Sequence, residues 1–171
     1  MNAGLERLNE LPRQSAEEEL GKCCGAVNWI RRMVEGRPYE TAEQLCEAAD
    51  RVWRELSPED WLDAFRHHPK IGEKTAATGN SAEAQRWSSA EQSGTKDARA
   101  ELLGELAAGN RRYEARFGFI FIVCATGKST EEMLALLRER LQNEPGAEIR
   151  IAAEEQRKIM RLRIEKLLRG E

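Results

Sequence analysis

Apolar residues recur at every third or fourth position through most of this 171-residue chain. That spacing is the period of one face of an α-helix, so the pattern predicts an almost entirely helical protein. The predicted helices are, in order, 1–11 up to the break at Pro12, 15–25, one around Trp29 that stops at Gly36, one from Thr41 through Trp53, 57–67, 97–116, one opened by residues 128–132, and 147–169.

Polar residues that favour helix N-termini stand at several of these starts. Ser15 precedes three glutamates and is expected to cap the second helix, while Thr41 and Gln44 have the spacing of a capping box. Ser57 precedes Pro58, and proline fits the first turn of a helix because its missing N–H has no partner there. No internal repeat, low-complexity tract or linker interrupts the pattern, so we expect one compact helical domain covering residues 1–171.

One segment, residues 117–125, departs from the helical pattern. It is rich in aromatic and β-branched side chains, which favour an extended strand. No other run in the chain resembles a partner strand, and a lone strand leaves its backbone polar groups unpaired. The segment is therefore either buried helix or an extended crossing of the core with backbone groups free for a ligand, and propensity does not separate the two.

Composition argues against nucleic-acid and membrane partners. Charged residues make up 33% of the chain, but they balance to a net charge of −3 with a pI of about 5.7. Without a basic tract we expect no nucleic-acid partner. With neither a long apolar run nor a signal peptide, we expect no membrane partner and a cytoplasmic location.

The four cysteines lack the spacing of a zinc site. They are Cys23, Cys24, Cys46 and Cys124, and we interpret them as reduced core residues. With two histidines and no paired cysteines, little remains to hold a metal ion, so no metal site is predicted.

Both histidines of the chain, His67 and His68, stand directly before Pro69. Histidine titrates near neutral pH and is therefore a candidate proton donor or acceptor. The residue before a proline is driven out of the helical region, so His67 is expected to end the fifth helix and His68 to turn away from it. Of the two, His68 is the better candidate for a functional group.

Two further groups of residues have both a structural and a functional interpretation. Ser88 and Glu91 have capping-box spacing, with Trp87 placed as a hydrophobic staple, and spacing alone favours this structural role. Against it, Gly94 follows closely, and Gln92 beside Glu91 pairs an amide with an acceptor, as substrate recognition often requires.

Arg163 falls within the apolar face of the last helix, whereas Arg161 falls on the far side. A buried guanidinium is costly unless it is paired. Arg163 is thus either part of an internal salt bridge, an arginine whose stem reaches the surface, or a clamp for a carboxylate or another planar anion. The sequence leaves these alternatives open.

Taken together, these elements resemble the cofactor-free decarboxylases of urate breakdown that act on 2-oxo-4-hydroxy-4-carboxy-5-ureidoimidazoline (OHCU). The resemblance runs in order along almost the full chain. Its elements are Leu8-Asn9, Cys23-Cys24-Gly25, Trp29, Arg37-Pro38-Tyr39, His68-Pro69-Lys70-Ile71-Gly72, Ser88-x-x-Glu91-Gln92-x-Gly94, Asn110-x-x-Tyr113-Glu114-x-x-Phe117-Gly118-Phe119-x-Phe121-Ile122, Arg140-Leu141-x-Asn143, Glu148 and Leu162-Arg163-Ile164. The departures are modest: His67 and Ile120 stand where family members often carry other residues.

The resemblance implies an all-α fold, a homodimer, no metal and no organic cofactor. It also implies that OHCU, a small molecule, is decarboxylated to (S)-allantoin and CO2. The catalytic residues would be His68 and Glu91, and the substrate-binding residues would be Pro69, Ser88, Gln92, Phe119, Ile120, Ile122 and Arg163, with Arg161 as the alternative to Arg163 if the match slips.

Two alternatives stay open at this level. A different ureide-processing enzyme on the same scaffold is one, although ureide hydrolases mostly need metal ligands that this chain is short of. A non-enzymatic helical interaction module is the other, and it predicts a leftover apolar surface stripe that the sequence does not reveal.

Overall fold

The computed structural model describes residues 2–71 and 100–171. Within these two ranges the chain forms helices and no strands, as the apolar spacing predicted. The described helices are α1 (Ala3–Glu10), α2 (Arg13–Cys23), α3 (Val27–Glu35), α4 (Ala42–Arg54), α5 (Pro58–Arg66), α6 (Ala100–Phe117), α7 (Thr130–Arg140) and α8 (Pro145–Arg169).

Two compact units make up the chain. The first unit comprises Met1–Ala64 with Arg157–Glu171, and the second comprises Phe65–Gln156. Helix α8 contributes residues to both. The assignment of the chain to one domain stays a prediction.

Tryptophan side chains link α3, α4 and α5. The indole N–H of Trp29 donates to the carbonyl of Ala49 over 3.2 Å, which joins α3 to α4. The indole N–H of Trp61 donates to the carbonyl of Trp53 over 3.1 Å, which joins α5 to α4. These side chains thus bury large apolar surfaces while their single polar groups remain satisfied.

The helix starts agree with the sequence in part. The Thr41 hydroxyl accepts from the backbone N–H of Gln44 (3.1 Å), but the Gln44 side chain accepts from Glu40 rather than from Thr41 (2.6 Å). The cap predicted at Ser15 is wrong. Proline cannot donate a backbone hydrogen bond, so Pro12 ends α1, and the next helix begins directly after it with Ser15 inside its first turn.

Helices α6 and α7 pack closely in the second unit. Gly109 lies against Leu137, where an added Cβ would come within 2.5 Å of the leucine Cδ2 atom. Helix α7 begins with a capping box: the Ser129 hydroxyl accepts from the N–H of Glu132, and the Glu132 side chain accepts from the N–H of Ser129. The position of this helix start was predicted, since residues 128–132 were expected to open a helix.

The structure settles the open question about residues 117–125. Helix α6 ends at Phe117, and Gly118 follows in the left-handed region with a φ of 79°, a conformation that favours glycine. Residues 119–125 then form neither helix nor strand, although all except Ile120 are buried. We call residues 119–125 the crossing segment.

None of the helices in the described ranges combines the length and the apolar composition needed to cross a bilayer.

Candidate active site

His68 lies just past the end of α5 in the second unit. The helix ends at Arg66, one residue before the predicted end, and the backbone N–H of His68 donates to the carbonyl of Phe65 over 3.2 Å. His67 is exposed, whereas His68 and Pro69 are half-buried. As expected for a residue before proline, His68 is outside the helix.

Two buried contacts fasten the chain on either side of His68. Before it, the ring of Phe65 packs against Phe119 of the crossing segment, with ring centroids 5.3 Å apart. After it, the side-chain amide of Asn110 in α6 donates to the carbonyl of Ile71 over 2.6 Å. His68 and Pro69 are therefore held between two fixed points, one of which is in the predicted substrate-binding segment.

A third contact is nearer the surface. The ammonium of Lys70 pairs with the carboxylate of Glu114 in α6 at 2.7 Å. Both side chains are more than a third exposed, so solvent screens this pair and it adds little to stability. Its effect is to hold the residue after Pro69 against the same face of α6 as Asn110.

The crossing segment presents backbone donors. Within the ranges 2–71 and 100–171, no carbonyl or side chain accepts from the N–H groups of residues 119–123. Buried N–H groups are almost always paired, so a run of them without protein acceptors is typical of a place where a ligand or water binds. Phe119, Ile120 and Ile122, predicted to bind substrate, all belong to this run.

Charged side chains bind three other backbone groups of the crossing segment. The guanidinium of Arg140 donates to the carbonyl of Ile122 over 2.7 Å. At Cys124, the N–H donates to the carboxylate of Glu155 over 2.7 Å, and the carbonyl accepts from the ammonium of Lys128 over 2.8 Å. Side chains thus replace the ladder that a strand would have provided.

Arg140 belongs to a buried polar network that the sequence did not predict. The fully buried carboxylate of Glu148 pairs with Arg140 at 2.7 Å and accepts from the amide of Asn143 over 2.8 Å. It also accepts from the hydroxyl of Tyr113. Burial raises the pKa of Tyr113 well above its usual range, and Glu148 adds to the rise, whereas the charge of Arg140 opposes it. A signal was present: Tyr113 and Glu148 are polar residues on the apolar faces of their helices.

Arg163 lies in the first unit, and its predicted burial is confirmed, because it is only 5% exposed. Its guanidinium donates to the carbonyl of Lys22 over 3.4 Å. Arg161, by contrast, is on the more exposed side and binds the carboxylate of Asp50 at 3.3 Å, as does Arg157 at 3.1 Å. The two arginines that a register slip could confuse therefore have different surroundings.

Two buried cysteines lie in the electrostatic field of Arg163. Burial raises the pKa of the Cys24 thiol to about 12 and that of Cys23 further, and the positive charge of Arg163 opposes both shifts. All four cysteines are free and buried, as predicted. At neutral pH Cys23 and Cys24 are neutral thiols, which are poor nucleophiles.

Three predicted site residues, Ser88, Glu91 and Gln92, lie outside the described residues. Among the predicted residues that are described, His68, Pro69, Phe119, Ile120 and Ile122 belong to the second unit, and Arg163 belongs to the first. In the described part of the chain, no three His, Cys, Asp or Glu side chains form a group that could hold a metal ion.

Comparisons with known proteins point to one family. The model of the OHCU decarboxylase family matches residues 9–165. The Uric acid degradation bifunctional protein TTL of Arabidopsis thaliana is 40% identical over 151 residues, which are 88% of this chain and 47% of that protein. The 2-oxo-4-hydroxy-4-carboxy-5-ureidoimidazoline decarboxylase of Haloferax volcanii is 28% identical over 94% of this chain and 93% of its own length.

A solved structure agrees with these matches. The crystal structure of an OHCU decarboxylase in the presence of (S)-allantoin aligns with a TM-score of 0.77 at 36% identity, covering 89% of this chain and 98% of that one. The chain spans about half the length of the Arabidopsis protein and 32% of the Uric acid degradation bifunctional protein of a Bacillus species.

Proposed function

This chain belongs to the OHCU decarboxylase family, and we propose that it is a carboxy-lyase that converts OHCU to (S)-allantoin and CO2 in urate breakdown. The proposal includes no metal and no organic cofactor. The main support for this proposal is the packing of Phe65 on Phe119, which attaches residues 65–71, including His68, to the crossing segment. This contact joins the stretch of chain that includes His68 to the segment that presents the backbone donors.

The chemistry requires few protein groups. When the bond from ring carbon C4 to the carboxylate breaks, its electron pair forms a C4=C5 double bond, and the C5=N electrons move to the ring nitrogen. A proton on nitrogen and a shift of the enol proton to C5 complete allantoin, so that one carboxylate and one proton give one CO2 and one new C–H bond. Because the substrate's own C=N accepts the electrons, the usual need for a cofactor as electron sink does not arise.

His68 is proposed to accept the proton of the C4 hydroxyl or to deliver a proton to the developing carbanion. A positioned acid or base accelerates a reaction by roughly 10²- to 10⁴-fold. Its half-buried position after α5 leaves the imidazole partly accessible, and the contacts of Phe65 and Ile71 restrict the backbone on both sides. Pro69 would complete this wall of the site.

The N–H groups of residues 119–123 are proposed to bind substrate oxygens. A run of backbone N–H groups whose directions are fixed by the protein binds anionic and carbonyl oxygens. Phe119, Ile120 and Ile122 would therefore contribute through their backbones, which is consistent with the apolar character of their side chains. Such donors suit the carboxylate and carbonyl oxygens of OHCU.

Arg163 is proposed to bind the ring or ureido oxygens of the substrate. Its burial and its position on the apolar face of α8 favour a role in binding rather than in keeping the protein surface charged. Glu91 would tune His68, and Ser88 with Gln92 would fix the orientation of the substrate. These last three roles rest on the family resemblance alone.

We also propose a homodimer located in the cytoplasm. The homodimer follows from the resemblance, and the location is supported by four cysteines that are free and buried. Light scattering at several protein concentrations tests the dimer, for which the expected mass is twice 19.4 kDa.

The activity is tested by generating OHCU from urate in situ and following its absorbance with and without the purified chain. We expect the protein to accelerate the loss of OHCU, and His68→Asn to lower the rate by at least about 10²-fold. The exposed neighbour provides the control, since His67→Asn should stay within threefold of the unmodified protein. An unmodified chain that does not change the rate would reject the proposed activity, and a fully active His68→Asn variant would reject the role of His68.

A further inference from the structure

The crossing segment can bind a substrate only if the N–H groups of residues 119–123, which have no acceptor within residues 2–71 and 100–171, point in fixed directions. Its residues form no ladder with another strand, and no helix orders its backbone. Irregular backbone in a protein core is ordered only where other groups satisfy and restrain it. Here those groups are the charged side chains that bind its carbonyls and one of its N–H groups, together with the residues that hold those side chains.

Each of three successive peptide groups in the segment is bound by one charged side chain. Arg140 binds the carbonyl of Ile122, Glu155 binds the N–H of Cys124, and Lys128 binds the carbonyl of Cys124. In a planar trans peptide, the carbonyl and the following N–H point in opposite directions. Fixing the Ile122 carbonyl toward Arg140 therefore directs the N–H of Val123 away from Arg140.

Arg140 also restrains the residue before Ile122. Its guanidinium lies over the ring of Phe121, 4.6 Å from the centroid, so one side chain fixes two consecutive residues. The side chain of Arg140 is only 7% exposed. A displaced guanidinium would lose both contacts at once.

Glu148 in turn holds Arg140. The carboxylate is fully buried and pairs with the guanidinium, and it also accepts from Tyr113 and Asn143. A buried ion pair is often no more stabilising than apolar residues of the same volume would be, so stability alone is a weak reason for it. Orientation is a better reason, because the Nε and Nη2 groups of Arg140 both contact Oε1 of Glu148, which fixes the plane of the guanidinium.

We propose that Arg140 and Glu148 are positioning residues that aim the N–H groups of residues 119–123 at the substrate. The inference rests on the proposed function, since it names how the donors of that same site are held. Neither side chain needs to touch the substrate. Their effect passes through the Ile122 peptide, so it should appear in substrate binding more than in the proton-transfer step.

The test compares Arg140→Lys and Glu148→Gln with a matched variant on the same helix. Arg138 pairs with Glu105 at the surface, where both side chains are more than half exposed, so Arg138→Gln serves as the control. For variants that keep the helical circular dichroism of the unmodified protein, we expect KM for OHCU to rise at least tenfold, kcat to stay within threefold, and the pH profile to keep its midpoint. Arg138→Gln should leave all three unchanged.

A second readout does not depend on turnover. In ¹H–¹⁵N spectra, the amides of residues 119–123 should exchange faster with solvent in Arg140→Lys than in the unmodified chain, while the amides of α5 should not. Failure of the unmodified chain to consume OHCU would reject the proposed function and leave this exchange comparison to decide the ordering of the segment.

Several outcomes would overturn the inference. A variant with a lower melting temperature but an unchanged KM and unchanged amide exchange would show a purely structural role. If neither Arg140→Lys nor Glu148→Gln folds, Tyr113→Phe keeps the ring and removes one hydrogen bond to Glu148. That variant should raise KM about threefold, and an unchanged KM would reject the proposal.

Discussion

The side-chain amide of Asn110 donates to the carbonyl of Ile71 over 2.6 Å, a buried bond between residues 39 positions apart in the chain. It connects the middle of α6 to the residue three positions after His68. The carbonyl oxygen of the same amide is buried and has no partner among the described residues. Asn110 is therefore held by one bond, and that bond restrains the proposed acid–base residue from its C-terminal side.

Asn110→Ala should impair catalysis through the position of His68. Leaving the buried Ile71 carbonyl unsatisfied costs about 1–3 kcal/mol in stability, and release of the segment should lower kcat about tenfold, because a misplaced general acid or base loses most of its effect. Asn28→Ala is the control, since that amide binds Asp60 at the surface. Steady-state kinetics of the two variants decide the matter, and equal kcat values would contradict the role of Asn110.

Substitution of Arg163 and of Arg161, both on α8, should lower kcat/KM to very different extents. Hydrogen bonds to charged groups are worth about 1.5–3 kcal/mol, so Arg163→Gln should lower kcat/KM by roughly 10- to 150-fold. Arg161→Gln removes a partly exposed contact to Asp50 and should stay within threefold. The opposite ranking in the same assay would identify Arg161 as the substrate clamp.

Stability should fall as the pH rises above about 8.5, the usual pKa of a thiol. Burial raises the pKa of Cys24 to about 12 and that of Tyr39 to about 12. Each folded pKa exceeds the unfolded one, so the stabilisation is complete below the unfolded pKa and is lost as pH rises toward the folded value. Urea unfolding at pH 8 and pH 10 measures this change.

The control for this pH dependence is Cys24→Ala. Removing this thiol should reduce the slope of the free energy of unfolding against pH by up to about 1.4 kcal/mol per pH unit. A free energy of unfolding that is equal at pH 8 and pH 10 would show that these groups titrate normally in the folded protein.

Two glycines of α6 offer a matched test of packing. Alanine stabilises a helix interior by about 0.8–1.0 kcal/mol relative to glycine, and no atom lies within 4 Å of a Cβ added at Gly104, so Gly104→Ala should gain nearly that amount. At Gly109 the new Cβ would meet the buried Leu137 at 2.5 Å, so Gly109→Ala should gain nothing or destabilise. Thermal unfolding separates the two, and an equal gain at both sites would contradict the close approach of α6 and α7.

Local chemistry in the sequence predicted much of the fold. The apolar spacing indicated the helices, the restriction before Pro69 placed His68 outside α5, and the helical period placed Arg163 in the core. In each case the deciding interaction lies within a few residues of the position concerned. Ser15 shows the limit of this reasoning. It is a good capping residue, but α2 begins directly after Pro12, so Ser15 lies inside the first turn and does not cap the helix.

The crossing segment could not be predicted because distant residues determine its conformation. Arg140 binds it from 18 residues away and Glu155 from 31 residues away. Propensity describes only local preferences, and here they left helix and extended chain equally favoured. The network around Glu148 was missed for a similar reason, since Tyr113 is 35 residues away from Glu148 and the Ile122 carbonyl is 18 residues away from Arg140.

The handedness of the allantoin formed tests the proposed decarboxylation. OHCU is generated from urate in situ, and the product is followed by circular dichroism with and without the unmodified chain. We expect a large excess of (S)-allantoin that grows with protein concentration and is lost in His68→Asn. Racemic allantoin at the spontaneous rate in the presence of folded protein would contradict it.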